Sequence, residues 1–176
     1  MRARLPLILA LCLGLGGCGG RLPAPDALEL ANLRPWNAVP ATAPARLVAV
    51  FEQVCIDGPE APDRAAAALH AMDYVESPGR PGAAVRGFLV DDDRPAVLVG
   101  SDGRSCAVAA RARTGQTAGI AAMVARRFPD ARGLAPVLLG PRTERGWATP
   151  GGGFVLLHRV IVAGRPSELL LIRLRG

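Results

Sequence analysis

The sequence contains no lysine: all 21 of its basic residues are arginine, set against 15 acidic residues for a formal net charge of +6 and an isoelectric point near 10.4. With abundant Ala, Gly and Pro beside the arginines, this bias reflects GC-rich codon choice. Arginine content is therefore discounted as a nucleic-acid signal, and no nucleic-acid partner is expected. Histidine is scarce at two residues, cysteine at four and aromatics at 4%. That poverty excludes most metal sites and most catalytic constellations, and no cofactor or metal is expected. There is no Cys-x-x-Cys pair, no Gly-x-Ser-x-Gly and no long acidic or Gln/Asn tract. A run of apolar residues long enough to cross a bilayer as a helix, about 20 residues, is also missing. What remains is a composition of ordinary globular type, 50% hydrophobic with a mean hydropathy of +0.25, and a length of 176 residues that allows one domain at most.

The N-terminus carries an address. Met1-Arg2-Ala3-Arg4 is a short basic start, Leu5 to Gly17 is an apolar run, and small residues follow. This is the form of a secretory signal. The end reads Leu15-Gly16-Gly17-Cys18, which resembles the lipobox of bacterial lipoproteins. The resemblance implies cleavage before Cys18, diacylglycerol on its thiol, and a further fatty acyl chain such as palmitate on the new amine. The competing reading is an ordinary signal peptide that happens to end near a cysteine. Several acyl chains, at about 0.8 kcal/mol per buried CH₂, would anchor the chain stably where one would not. Gly19, in place of aspartate, implies by analogy an outer-membrane destination facing the periplasm. Cys12 would be removed with the signal. The mature chain would carry 19 arginines against 15 acids, a mild and dispersed excess.

The expected organisation is therefore a signal peptide over 1–17, a lipidated and proline-rich tether over 18–44, and a single domain over 45–176. Pro23, Pro25, Pro35, Pro40 and Pro44 fix φ and remove donors, so the tether should be extended. Asp26 could cap a short helix to Leu33 whose apolar residues are Leu28, Leu30 and Leu33. Trp36 is read as packing onto the domain rather than lying at the membrane.

Within the domain, Leu47, Val50, Phe51, Val54 and Cys55 recur at three and four and predict a helix stopped by Gly58-Pro59. Pro62 opens a second helix with Ala65, Leu69 and Met72 inward. The period then changes. Arg86–Val90, Ala96–Gly100 and Arg104–Arg111 read as strands, the last two joined by Ser101-Asp102-Gly103, where Asp-Gly takes positive φ readily. Thr114–Phe128 returns to helical spacing and Pro129 ends it. Val137–Leu139 is expected as a short strand and Gly140–Gly153 as loop. Phe154–Ala163 and Glu168–Leu174 form a last hairpin, apolar on both faces and so central in the sheet. The class is α+β: an antiparallel sheet of five to six strands with helices packed on one face.

Two mature cysteines remain besides Cys18. An exported chain meets an oxidising compartment, so Cys55 and Cys106 are read as a disulfide closing a loop of about 50 residues. Free thiols and a redox pair are the alternatives. The Phe51-x-x-x-Cys55 helix, the alanine-rich helix, the cysteine-bearing hairpin and the later helix together resemble small exported proteins of proteobacteria without assigned function. That resemblance spans roughly residues 47 to 128 and transfers no catalytic residue.

The remaining chemistry is sparse. His70 lies in the alanine-rich helix, and His158 on a strand between Leu157 and Arg159. Asp91-Asp92-Asp93 could offer oxygens to Ca²⁺ but lacks the spacing of a calcium loop and reads as a solvated turn. Ser101 and Ser105 flank a turn, and Gly151-Gly152-Gly153 has no Lys-Ser/Thr to make a phosphate loop. Arg111 with Arg113, and Arg173 with Arg175, are expected on two strand faces, where guanidinium pairs could bind phosphate, carboxylate or anionic envelope sugars, or simply face water. The function expected is a lipid-anchored, non-catalytic binding or accessory module of the cell envelope, touching the membrane through its lipid, with another envelope protein or an anionic envelope ligand as its partner. A hydrolase using His158 with nearby acids is the alternative.

Overall fold

The computed structural model describes residues 39–78, 82–161, 163–164 and 167–176. The signal segment, Cys18, the Asp26–Leu33 stretch and Trp36 lie outside them. Pro44, its φ already suited to a first helical turn, opens α1 (Pro44–Phe51), which buries Leu47, Val48, Val50 and Phe51. The helix then widens into a π turn over Glu52–Ile56, closed by Asp57 N–H donating to Glu52 O at 2.9 Å. The wider turn keeps Cys55 on the inner face below Phe51. Gly58 follows because a Cβ there would overlap the Val54 carbonyl.

Helix α2 (Pro62–His70) buries Ala65, Ala66 and Leu69. It ends with Asp73 in the left-handed region at φ 64°, with Tyr74 N–H donating to Leu69 O and Asp73 N–H to His70 O. These are the two bonds of a Schellman stop, with aspartate standing where glycine is usual. Helix α3 (Gln116–Arg127) turns Ile120, Met123 and Val124 inward.

The sheet is larger than the five to six strands expected. Among the described residues it has eight, all antiparallel: β1 (Val75–Glu76), β2 (Val85–Leu89), β3 (Ala96–Gly100), β4 (Ser105–Arg111), β5 (Arg132–Gly133), β6 (Thr143–Ala148), β7 (Phe154–Val160) and β8 (Glu168–Leu174). Their order is β1-β2-β3-β4-β8-β7-β6-β5. Two four-stranded meanders thus meet where their last strands pair. β8 has seven partners on each side, in β4 and in β7, so the last hairpin is central as its apolar faces required. β1 and β5, of two residues each, are too short to show alternation. β6 falls in the glycine-rich stretch read as loop, and the strand expected at Val137–Leu139 is instead a 3₁₀ turn over Pro136–Leu138, which Pro136 initiates.

Phe88, Val97, Val99, Cys106, Val108, Val155, Leu157, Leu169 and Leu171 project alternately to one side and join the buried residues of all three helices in one core. Tyr74, the sole tyrosine, is 1% exposed at its edge, and its hydroxyl donates to Pro95 O at 3.0 Å. Burial, outweighing the Arg94 guanidinium over the ring, pushes this phenol up to about 12. Below pH 10 the phenol is neutral folded and unfolded alike. Between pH 10 and 12 only the unfolded chain ionises, so stability should fall through that window by roughly 2–3 kcal/mol. A phenolate absorbance titration checks this: ionisation at the ordinary tyrosine value in the folded protein would contradict the burial.

Candidate functional site

Cys55 in the π turn and Cys106 on β4 are joined by a disulfide, with Cα atoms 5.4 Å apart and 51 residues between them in sequence. Both are buried, and the bond ties the helical layer to the sheet. The wider helical turn and the β4 register, which sets Cys106 opposite Val99 and Arg173, bring the two residues face to face.

The arginine pairs fare differently. Arg111 closes β4 but Arg113 lies beyond it, so the two do not share a strand face. Arg111 Nε donates to Val39 O at 3.1 Å and Arg113 Nη1 to Ala41 O at 3.2 Å, while the Arg111 N–H donates to Pro40 O. These bonds hold Val39–Ala41 against the end of β4. Thr42 is then fully buried, so the chain is already fixed to the domain ahead of Pro44. Buried Gln116 locks the same corner, accepting from Arg113 N–H and donating to Arg111 O. Arg113 also lines an open cleft with Thr114, Thr117, Arg159 and Ser167.

Arg173 and Arg175 do converge, beneath the end of the π turn. Arg173 Nη1 donates to Cys55 O at 2.9 Å and Ile56 O at 3.0 Å, and Arg175 reaches Cys55 O at 3.2 Å and Gly103 O at 2.8 Å. Burial and then the neighbouring Arg175 charge hold the Arg173 guanidinium below its usual range. Carbonyls left without partners at a helix end attract cations, and here two strand-end arginines serve them.

His70 is exposed, and its Nδ1 lies 3.0 Å from Tyr74 O. His158 is half-buried on the sheet face opposite the core, across from Leu170 on β8 and Thr143 on β6. Burial, and next the charge of Arg142, pull its imidazole below the ordinary histidine range. Among the described residues no carboxylate hydrogen-bonds to it. Asp92 accepts from the N–H and Nε of Arg94, and Asp93 pairs with Arg46 at 3.0 Å. Two of the three aspartates are therefore ion-paired, Asp92 with Arg94 of the same turn and Asp93 with Arg46 of α1. Among the described residues no three His, Cys, Asp or Glu side chains gather as metal ligands. Gly151 and Gly152 supply positive φ in the turn between β6 and β7.

Sequence reasoning did not single out the second face of the sheet. The registers place Leu98, Leu156, Leu170, Ile172 and Leu174 on one side, away from the core, with the small Ala107 and Ala109 between them. None of these residues belongs to the core shared with the helices. At one end Leu134 and Leu139 lean over this face, so closely that a Cβ on Gly146 would come within 3.0 Å of both and of Leu156. Phe154 and the turn residues Val137 and Leu138 stay exposed. The doubly apolar last hairpin was the signal, since a strand with one wet face alternates.

No protein-family model matches the chain, and no curated protein or solved structure matches it either.

Proposed function

We propose that this chain is a lipid-anchored cell-envelope protein, facing the periplasm and held through Cys18, that acts by contact as a binding or accessory module. The observation that carries the reading is the buried Cys55–Cys106 disulfide. Such bonds persist in oxidising compartments, to which the Met1–Cys18 pattern would deliver the chain. A role by contact is supported by what the polar groups do: Arg111, Arg113, Arg173 and Arg175 each donate to backbone carbonyls of the fold. Anionic envelope ligands remain a partner class for the open cleft beside Arg113, and an envelope protein is the other. The hydrolase alternative rests on His158, whose imidazole is pulled below the ordinary histidine range by burial and the Arg142 charge; its turnover would be abolished by His158→Ala.

Metabolic labelling with a palmitate analogue, followed by membrane fractionation, tests the anchor. The natural chain should carry label and sediment with membranes, and Cys18→Ser should lose the label and appear in the soluble fraction. An unlabelled native product whose mass retains Met1 would overturn the reading.

A further inference from the structure

We infer that the exposed turn Pro136–Leu138, with three arginines around its base, docks this domain on an anionic lipid bilayer. The turn is apolar where it meets water. Val137 is 89% exposed and Leu138 72%, and Ala135 and Pro136 beside them are exposed as well. Single apolar residues on a surface are ordinary, but four in succession call for a partner. The turn is also held in place. Leu138 N–H donates to Ala135 O at 2.9 Å, Leu139 N–H to Pro136 O at 3.0 Å and Leu134 N–H to Gly146 O at 2.8 Å. Leu134 and Leu139 lean on Gly146 and so seat both feet of the turn on β6. Val137 and Leu138 are thus presented on a fixed support, and little freedom is lost when they are buried.

The charges around the base select the partner. Arg132, Arg142 and Arg145 are exposed, and among the described residues none of the three forms an ion pair. The sequence has no acid between Asp130 and Glu144, and Glu144 is already taken by Arg159 and Thr117, at 2.7 Å each. An apolar tip ringed by cations matches a bilayer with negative headgroups. The alkyl side chains enter the acyl boundary while the guanidinium groups stay level with the phosphates. A protein partner fits less well, because a stable interface takes about 800 Å² from each side and this tip is small and convex.

The turn also lies on the side from which the chain enters the domain. Arg142 O accepts from the Arg159 N–H, next to Val160. Val160 pairs with Glu168 and Glu168 with Arg111, whose Nε donates to Val39 O. The foot of the turn and Val39 therefore share one end of the sheet, three strand spacings or about 14 Å apart. Ile161, 77% exposed, follows Val160 at that end. The reading rests on the proposed anchor at Cys18 only for the presence of a membrane. Residues 19–38 span at most about 70 Å at ~3.5 Å per residue, so acylation would bound the distance to the bilayer without selecting a face. At the effective concentration such a tether sets, two aliphatic side chains and three arginines are enough to choose the face.

The test uses the whole chain after residue 17 with Cys18→Ser, so that no acyl chain contributes. Co-sedimentation with vesicles of phosphatidylcholine mixed with phosphatidylglycerol should show binding that weakens as salt is raised, and phosphatidylcholine alone should bind far less. Val137→Ser together with Leu138→Ser should lower the partition coefficient at least about tenfold. Arg142→Gln should lower it about fivefold, the equivalent of about 1 kcal/mol for one basic residue at the surface. These positions are exposed, so the disulfide and the far-UV spectrum should not change. Leu138→Trp puts a reporter at the tip, whose emission should shift to the blue with the anionic vesicles and be quenched by brominated acyl chains. No binding to the anionic vesicles, or binding that the folded double-serine chain retains, would overturn the proposal. Self-association in place of vesicle binding, abolished by the same substitutions, would assign the turn to a second copy and overturn it too. A chain that binds vesicles through the turn but carries no label at Cys18 in cells would sink the anchor alone; a labelled chain whose turn ignores vesicles would sink the docking surface alone.

Discussion

Replacing Cys55 and Cys106 together by alanine is expected to lower the unfolding free energy by about 4 kcal/mol and the midpoint temperature by roughly 10–20 °C. The bond joins residues 51 apart, so it removes the freedom of a long loop from the unfolded chain. Both residues are buried, so their truncation also leaves unfilled space between the π turn and β4. The loop effect acts on the unfolded state, and this has a second signature. Without the cross-link the unfolded chain exposes more surface, so the denaturant slope should increase as the midpoint falls. The natural chain unfolded under reducing conditions should follow the double-alanine curve within about 1 kcal/mol. Intact masses before and after reduction should differ by two hydrogens. Two thiols that alkylate without reduction, together with identical urea curves, would contradict both the pairing and its energetic weight.

The elements that could be read from residues alone are those with strong local signals. Asp102-Gly103 between two runs of small apolar residues marks the β3–β4 hairpin, and Gly103 does take φ 72° there. Ile120 and Val124 at helical spacing mark α3, and the cysteine pair needed only the inference that the chain is exported. The features that escaped depend on distant neighbours. Gly146 reads as loop, yet it pairs with Leu156 on β6, and the position suits glycine because Leu134, Leu139 and Leu156 crowd where a side chain would be. Asp73 holds a left-handed stop without glycine, which no local rule anticipates. The arginines mislead for the same reason. Nothing in Arg173-Leu174-Arg175 announces that the end of a helix more than a hundred residues earlier will lie beneath them, and only the pairing of β8 with β4 puts it there. The second face of the sheet was visible in the sequence as two apolar sides of one hairpin, but its extent across β3 and β4 was not.

The helix end held by Arg173 and Arg175 gives the second large effect. Arg173→Met keeps much of the aliphatic stem and should cost about 2 kcal/mol, because Ile56 O loses the partner it has while Cys55 O retains Arg175. Arg175→Met should cost less at the helix, since Arg173 still serves Cys55 O, although Gly103 O is stripped of its donor. The double substitution is different in kind. It leaves the Cys55 carbonyl without either guanidinium, beside the buried disulfide, so its cost should exceed the sum of the singles by about 1 kcal/mol. The mutual repulsion of the two cations pushes in the same direction, because each single substitution relieves it once and the double gains no further relief. Urea unfolding of the four proteins, at matched slopes, measures the coupling. Repeating the set with inorganic phosphate then asks whether these groups have donors to spare: arginines committed to carbonyls predict equal shifts in all four. A stabilisation confined to the natural chain and lost in Arg173→Met would instead assign the pair an anion.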